Sequence, residues 1–474
     1  MSNYPTGLPL RGLVVAMAAT LLGACSMIPV FERPAAPVPA SFPQAAPAAS
    51  ASAAPLAEAL AWRDYFADER LRSVIALALD NNRDLRVAAL NIERARAQYG
   101  IQRADLFPSI AVSGGQSAQR VPADLSATRQ ADITRQYSAN LGFASYELDF
   151  FGRVRSLEEQ ALQTYLGTEE ARRSAQISLV AEVASTWLRL AADRERLALA
   201  RNTFETRKKS FELTQRSFEL GAVSALDLRQ AETLMQTARA DAARYAAVVA
   251  QDENALALVV GAGVPAELQP DALGARVAAV GELPAGVPAE VLARRPDILQ
   301  AERALMAANA SIGAARAAFF PRITLTASAG TASSALDGLF DGGSGAWSFV
   351  PQIRLPIFEA GRLQASLDVA EIQRDINVAQ YEKAIQSAFR EVADALAERA
   401  TLAEQLDARR KLVEAANKSF ELSEARYQGG VDSYLNLLDA QRSLYGAELE
   451  LIATRLADAT NRVALYKALG GGWQ

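Results

Sequence analysis

The chain has 474 residues, with 49 lysines and arginines against 54 aspartates and glutamates, a formal charge of −5, no histidine and one cysteine. Without histidine there is no imidazole base, no histidine-dependent triad and no histidine-bearing metal site, and one cysteine cannot close an internal disulfide. The near balance of charge, with no basic run, leaves no electrostatic footprint for nucleic acid. Half the residues are hydrophobic but only 7% are aromatic, and much of the remainder is alanine. Such a composition favours closely packed helices over a thick core.

Residues 1–24 read as an export signal. Arg11 is the only charge ahead of an apolar run, 13–22, that is too short to span a bilayer as a helix. Leu22-Gly23-Ala24-Cys25 resembles the lipobox at which a lipoprotein signal peptidase cuts, leaving Cys25 as an acylated first residue. By the same resemblance the non-acidic Ser26 implies delivery to the outer membrane, where several acyl chains anchor stably. Residues 25–60 follow as a Pro/Ala-rich tether, since nine of the 19 prolines lie in the first 55 residues and little apolar surface offsets the cost of ordering it.

From residue 61 the pattern predicts a duplicated helix-strand-strand-helix unit. The first repeat, 61–264, holds a helix, strands at about 109–120 and 136–149, a long helix 153–220, a turn at Gly221 and a helix 222–260. A linker, 265–288, leads to the second repeat, 289–474, with a helix, strands at about 322–331 and 346–358, a long helix 362–428, a turn at Gly430, a helix 431–468 and a C-terminal tail. The helices follow from long proline-free tracts rich in Ala, Leu, Glu, Gln and Arg; at 1.5 Å per residue each long one would reach on the order of 100 Å. The duplication is written in the residues. Lys209-Ser210-Phe211-Glu212-Leu213 recurs as Lys418-Ser419-Phe420-Glu421-Leu422, and Leu106-Phe107-Pro108 as Phe319-Phe320-Pro321.

The strands are predicted by alternation. Trp347, Phe349, Ile353 and Leu355 fall on one face and Ser348, Gln352 and Arg354 on the other, and Tyr137, Ala139, Leu141 and Phe143 make the matching apolar face in the first repeat. Segments of about 9 to 11 residues suit a tilted outer-membrane strand, though a small soluble sheet would alternate in the same way. Four strands cannot close a barrel, and lipid does not tolerate an open edge, so such a chain must oligomerise.

The lipobox, Trp62-Arg63-Asp64-Tyr65-Phe66, Asn82-Arg83-Asp84-Leu85, Arg294-Arg295-Pro296-Asp297-Ile298, the two Phe-Pro strand entries, Leu355-Pro356-Ile357-Phe358, Gly430-Val431-Asp432-Ser433-Tyr434-Leu435 and Leu469-Gly470-Gly471-Gly472-Trp473 together resemble the OprM-like outer-membrane efflux lipoproteins of the TolC superfamily. The resemblance implies a mainly α fold with a membrane β part: a homotrimer with a 12-stranded outer-membrane β-barrel continuous with a 12-helix periplasmic α-barrel, and a mixed equatorial belt around which the tether and C-terminal tail wrap. It implies a passive, gated exit duct for drug-like molecules. The implied partners are a periplasmic adaptor (membrane-fusion) protein, an inner-membrane RND-type transporter and outer-membrane lipid, with no nucleic acid. No catalytic, cofactor-binding or metal residue is assigned, because no acidic pair stands apart from the charge expected of long helices. A type I secretion duct and a lipid-anchored periplasmic scaffold without a pore are the rival readings.

Carried over residue by residue, the resemblance puts the periplasmic gate beside the turn glycines Gly221 and Gly430. Asp432, Leu435, Asn436 and Asp439 are spaced to share a helical face, and the first repeat offers Leu226 and Asp227 at equivalent places. Leucines with acids would supply both an apolar plug and a charged ring. Asp432 could equally cap a helix, and Leu435 could pack between helices. Arg426 and Tyr427, just before the turn, are candidates for linking neighbouring helices.

Overall fold

The computed structural model describes residues 26–43, 60–127, 129–273 and 289–473. Cys25, the signal-like segment before it and most of the expected linker lie outside these residues. In chain order the elements are α1 (Trp62–Tyr65), α2 (Glu69–Asn81), α3 (Arg83–Ala104), β1 (Ile110–Val121), β2 (Asp132–Leu148), α4 (Arg153–Glu219), α5 (Ala225–Val260), α6 (Pro296–Ala317), β3 (Arg322–Ser333), β4 (Gly345–Arg354), α7 (Arg362–Gln428) and α8 (Tyr434–Ala468). Short 3-10 turns lie at Ala266–Leu268 and Ala289–Arg294. The chain divides into two compact units, the first comprising Met1–Ala35, Ile92–Thr168 and Gln300–Tyr381 and the second the remainder.

The first unit contains an antiparallel meander in the order β1-β2-β3-β4. Its register sorts the side chains as the alternation predicts. Val112, Leu141, Ala329 and Trp347 form one lateral row, and Ile110, Phe143, Ala327 and Phe349 the next, all on the apolar face. Ser113, Asn140, Ser328 and Ser348 lie on the opposite face, where the Ser328 and Ser348 hydroxyls hydrogen-bond at 2.8 Å. Large side chains of the apolar face stand in the open, Trp347 at 80% exposure and Val112 at 81%.

Two strand bounds depart by several residues from the expected ones, and one strand carries a bulge. β2 starts at Asp132, earlier than 136, because its polar N-terminal residues pair with β1 as far as Val121. β4 stops at Arg354, short of 358, where Pro356 has no N–H to give a ladder. Between Phe143 and Tyr146 a bulge opens, with Ser145 at φ 55° donating its N–H to the Thr326 hydroxyl at 3.1 Å. The extra residue returns Tyr146 to the apolar side, opposite Leu325.

The described start of the expected tether is docked onto α6. Asn309 Nδ2 donates to the Pro29 carbonyl at 2.7 Å, and Arg33 grips Glu302 through two hydrogen bonds of 2.7 and 2.8 Å. Gly313 leaves the space that Ile28 occupies, for a Cβ there would come within 2.6 Å of the Ile28 side chain.

The second unit is helical, and its core accounts for the short motifs. Tyr65 and Tyr466 stack at 3.9 Å, Tyr65 donating to the Arg462 carbonyl at 2.7 Å and Tyr466 to the Leu60 carbonyl at 2.6 Å. Asn82 caps α3 by accepting from Leu85 N–H at 2.8 Å and donates to the Val259 carbonyl at 2.7 Å. Arg295, buried, donates to the Ala468 carbonyl at 2.7 Å and pairs with Asp297 and Glu391. A buried guanidinium is tolerable there because its donors are met by charge and carbonyl.

Candidate functional site

Two helix ends, at α4 and α7, close in the same way. Gly221 adopts φ 72° and Gly430 φ 67°. Gly221 N–H donates to Phe218 O at 2.9 Å and Ala222 N–H to Ser217 O at 2.8 Å; Gly430 N–H donates to Tyr427 O and Val431 N–H to Arg426 O, both at 3.0 Å. Each is a Schellman closure with glycine in the left-handed position. Nothing lies within 4 Å of a Cβ built on either glycine, so the penalty for a side chain is one of backbone conformation alone. Gly430→Ala is expected to destabilise its turn by about 1–2 kcal/mol, seen as faster amide hydrogen exchange over 426–434 with the rest of α7 unchanged.

The following helices begin later than expected, α5 at Ala225 and α8 at Tyr434, because Ser224 and Ser433 occupy the cap positions. Asp227 is drawn back into a capping box, its carboxylate accepting from Ser224 N–H and Oγ while Ser224 Oγ accepts from Asp227 N–H. Asp432 therefore lies in the turn and not on α8 beside Leu435, as the expected helix 431–468 would have it. Its carboxylate accepts from Ser433 N–H, from the Asn436 amide and from Arg426 Nε at 3.1 Å. The Asn436 amide, the Arg426 guanidinium and the Ser433 N–H hold the Asp432 carboxyl below the usual carboxylate range. The clasp is thus complete at neutral pH and released only as pH falls through that lowered range.

Arg426 pairs with Asp432 inside its own hairpin, whereas Tyr427 lies against Tyr434, with ring centroids 5.2 Å apart, and packs on the cluster that also holds Ala231 and Leu234 of α5. Under the turns, Ala231, Leu234, Tyr434, Leu437 and Leu438 form a buried cluster against which Phe211, Phe420 and Tyr427 pack. The repeated Lys-Ser-Phe-Glu-Leu segments thus have a physical use, each contributing one phenylalanine. Sequence reasoning missed this cluster although the repeat pointed to it.

With Leu437 and Leu438 turned inward, Leu435, Asn436 and Asp439 line the opposite, exposed side of α8, where Leu435 is 51% exposed. Leu226 on α5 is 66% exposed. Asp439 has a partner the sequence reading left out, Arg442 at 3.4 Å, one helical turn on; the i,i+3 spacing was there to be read. Among the described residues no group of acidic, cysteine or histidine side chains could hold a metal ion, and no helix is long and apolar enough to cross a membrane.

A meander with one greasy and one wet face, feeding paired long helices in two copies of one unit, is the makeup of an outer-membrane channel subunit. The chain belongs to the outer membrane efflux protein family, whose pattern matches residues 74–262 and 287–471. It is accordingly a protein of the outer membrane whose work is efflux, and the family is one of ducts and not of enzymes. The probable efflux pump outer membrane protein TtgC of Pseudomonas putida is 54% identical over 463 residues, covering 97% of this chain and 95% of the relative. The outer membrane protein OprJ of Pseudomonas aeruginosa is 47% identical over 465 residues, covering 98% and 96%. Among solved structures, the open state of the Neisseria gonorrhoeae MtrE outer membrane channel superposes with a TM-score of 0.84 at 41% identity, covering 95% of this chain and 99% of that one.

Proposed function

We propose that three copies of the chain close a 12-stranded barrel and a 12-helix tunnel. In this reading drug-like molecules pass through them from an inner-membrane RND-type transporter, handed on by a periplasmic adaptor. The observation that supports this is the sheet: its apolar face is exposed, its other face is polar, and β1 and β4 both end it with free edges. Lipid would accept such a sheet only with each edge paired to another copy. The periplasmic gate is assigned to Leu435 and Asp439, supported by Leu226, with the Arg426–Asp432 clasp and the Asp227 capping box holding the two turns in shape.

Purified protein in planar bilayers tests the reading. A gated duct gives small, steady closed-state conductance that rises when the gate is loosened, whereas a scaffold without a pore gives none. Cys25 is assigned as the acylated anchor. Cys25→Ser is expected to abolish lipid labelling, while the same protein exported behind a non-lipid signal still inserts and trimerises, because the sheet supplies its own apolar band. Failure of the re-routed protein to assemble would show that the anchor does more than tether.

A further inference from the structure

All four passages between sheet and helix occur at one end of the meander, and there the first unit holds a cleft of about 260 Å³. Two aromatic rings line it, Phe151 stacked on Phe320 at 4.8 Å. Its rim is charged, and the charges do not balance. Glu147 is shared by Arg153, through hydrogen bonds of 2.7 and 2.8 Å, and by Arg322 at 2.6 Å. Asp149 is taken by Arg155 and Glu359 by Arg362. Arg354, also lining the cleft, makes no ion pair among the described residues. Worse, the register puts it directly across from Arg322, a like-charge pair that costs the sheet stability. Arg354 lies on the polar face, with Gln352 and Ser348.

We propose that this cleft binds a small aromatic carboxylate, its ring against the Phe151–Phe320 pair and its carboxylate in the fork of Arg354, shared with Arg322. A guanidinium fork matches a carboxylate in two parallel hydrogen bonds, and the anion removes the repulsion between the two arginines. The size agrees. A cavity of about 150 Å³ already accepts benzene, so this cleft has room for one ring and its acid group and not for a large polycyclic compound. Access rests on the duct reading, in which the polar face lines the conduit and a solute in transit meets the cleft.

The test is equilibrium dialysis of benzoate against the full-length protein in detergent, with bilayer conductance measured on the same preparations. Saturable binding is expected, weakened at least about tenfold by Arg354→Gln and less by Arg354→Lys. Arg354 is exposed in the single chain, so neither change threatens the fold of the chain itself. Phe320→Leu should weaken benzoate several-fold while leaving any binding of inorganic phosphate unchanged. Absence of saturable benzoate binding, equal binding by Arg354→Gln, or displacement by equimolar phosphate with no effect of Phe320→Leu would each overturn the proposal. Normal conductance without benzoate binding sinks this inference alone. Benzoate binding without conductance supports the cleft and sinks the duct reading.

Discussion

Leu435→Ala is expected to raise single-channel conductance in planar bilayers and to admit bulky antibiotics to cells that otherwise exclude them. Leu435 projects from α8 opposite the buried Leu437 and Leu438 and is 51% exposed in the single chain, so about half of it is left for other copies to cover. Full burial of a leucine is worth about 1.5–3 kcal/mol, which gives about 1 kcal/mol of closure per copy and about 3 kcal/mol for a trimer. Removing it should shift the open-to-closed ratio by roughly two orders of magnitude, since about 1.4 kcal/mol is tenfold. The buried cluster beneath the turns is untouched, so trimer stability should hardly change. Asp439→Ala should act on selectivity instead, lowering cation preference, and loss of the Arg442 partner should move it the other way. If Leu435→Ala and Asp439→Ala together left conductance and ion preference at wild-type values, the constriction would have to lie elsewhere.

Gly330→Val is expected to prevent assembly altogether, leaving no trimer by light scattering in detergent. Gly330 lies opposite Asn140 on the polar face, and a Cβ there would run into the carbonyl oxygen of Ala139 and come within 2.7 Å of Asn140 Cα. Gly142 makes the reciprocal approach to the backbone of Ala327 and Ser328. These atoms are backbone on both strands and cannot swing aside. The cost should reach or exceed the top of the range of about 1–3 kcal/mol seen for overpacked cores. The pairing lost is β2 with β3, the seam between the two repeats. Gly115→Val makes the control: Gly115 lies on the same face, opposite Ser138, with nothing within 4 Å of its Cβ. If Gly330→Val assembled as readily as Gly115→Val, the close approach of β2 and β3 would have no part in closing the sheet.

Much of this architecture was legible because it is local. Period-2 alternation placed Trp347 and Phe349 against Ser348 before any partner strand was known, and the absence of proline and glycine from 362–428 sufficed for a helix with those same bounds. The turn glycines were legible for the same reason, since a left-handed closure needs a residue without a Cβ. Ser224 and Ser433, as caps, also mark where α5 and α8 begin, which places Asp432 in the turn and not on the helix.

What pairs across long separations was not legible. A Pro/Ala-rich segment has no periodicity to show that Arg33 meets Glu302, 269 residues away, or that Gly313 keeps a place for Ile28. The bulge at Ser145 exists only because β3 lies beside β2. Likewise Leu435, Leu437 and Leu438 are the same residue type, and only the packing of α8 on Phe211, Phe420 and Tyr427 decides which leucines are buried and which one faces outward. Backbone preference and side-chain period are properties of a short stretch of chain, and sequence alone determined those. Burial, like-charge opposition across strands and docking depend on atoms supplied from distant segments, and the tertiary structure alone decided them.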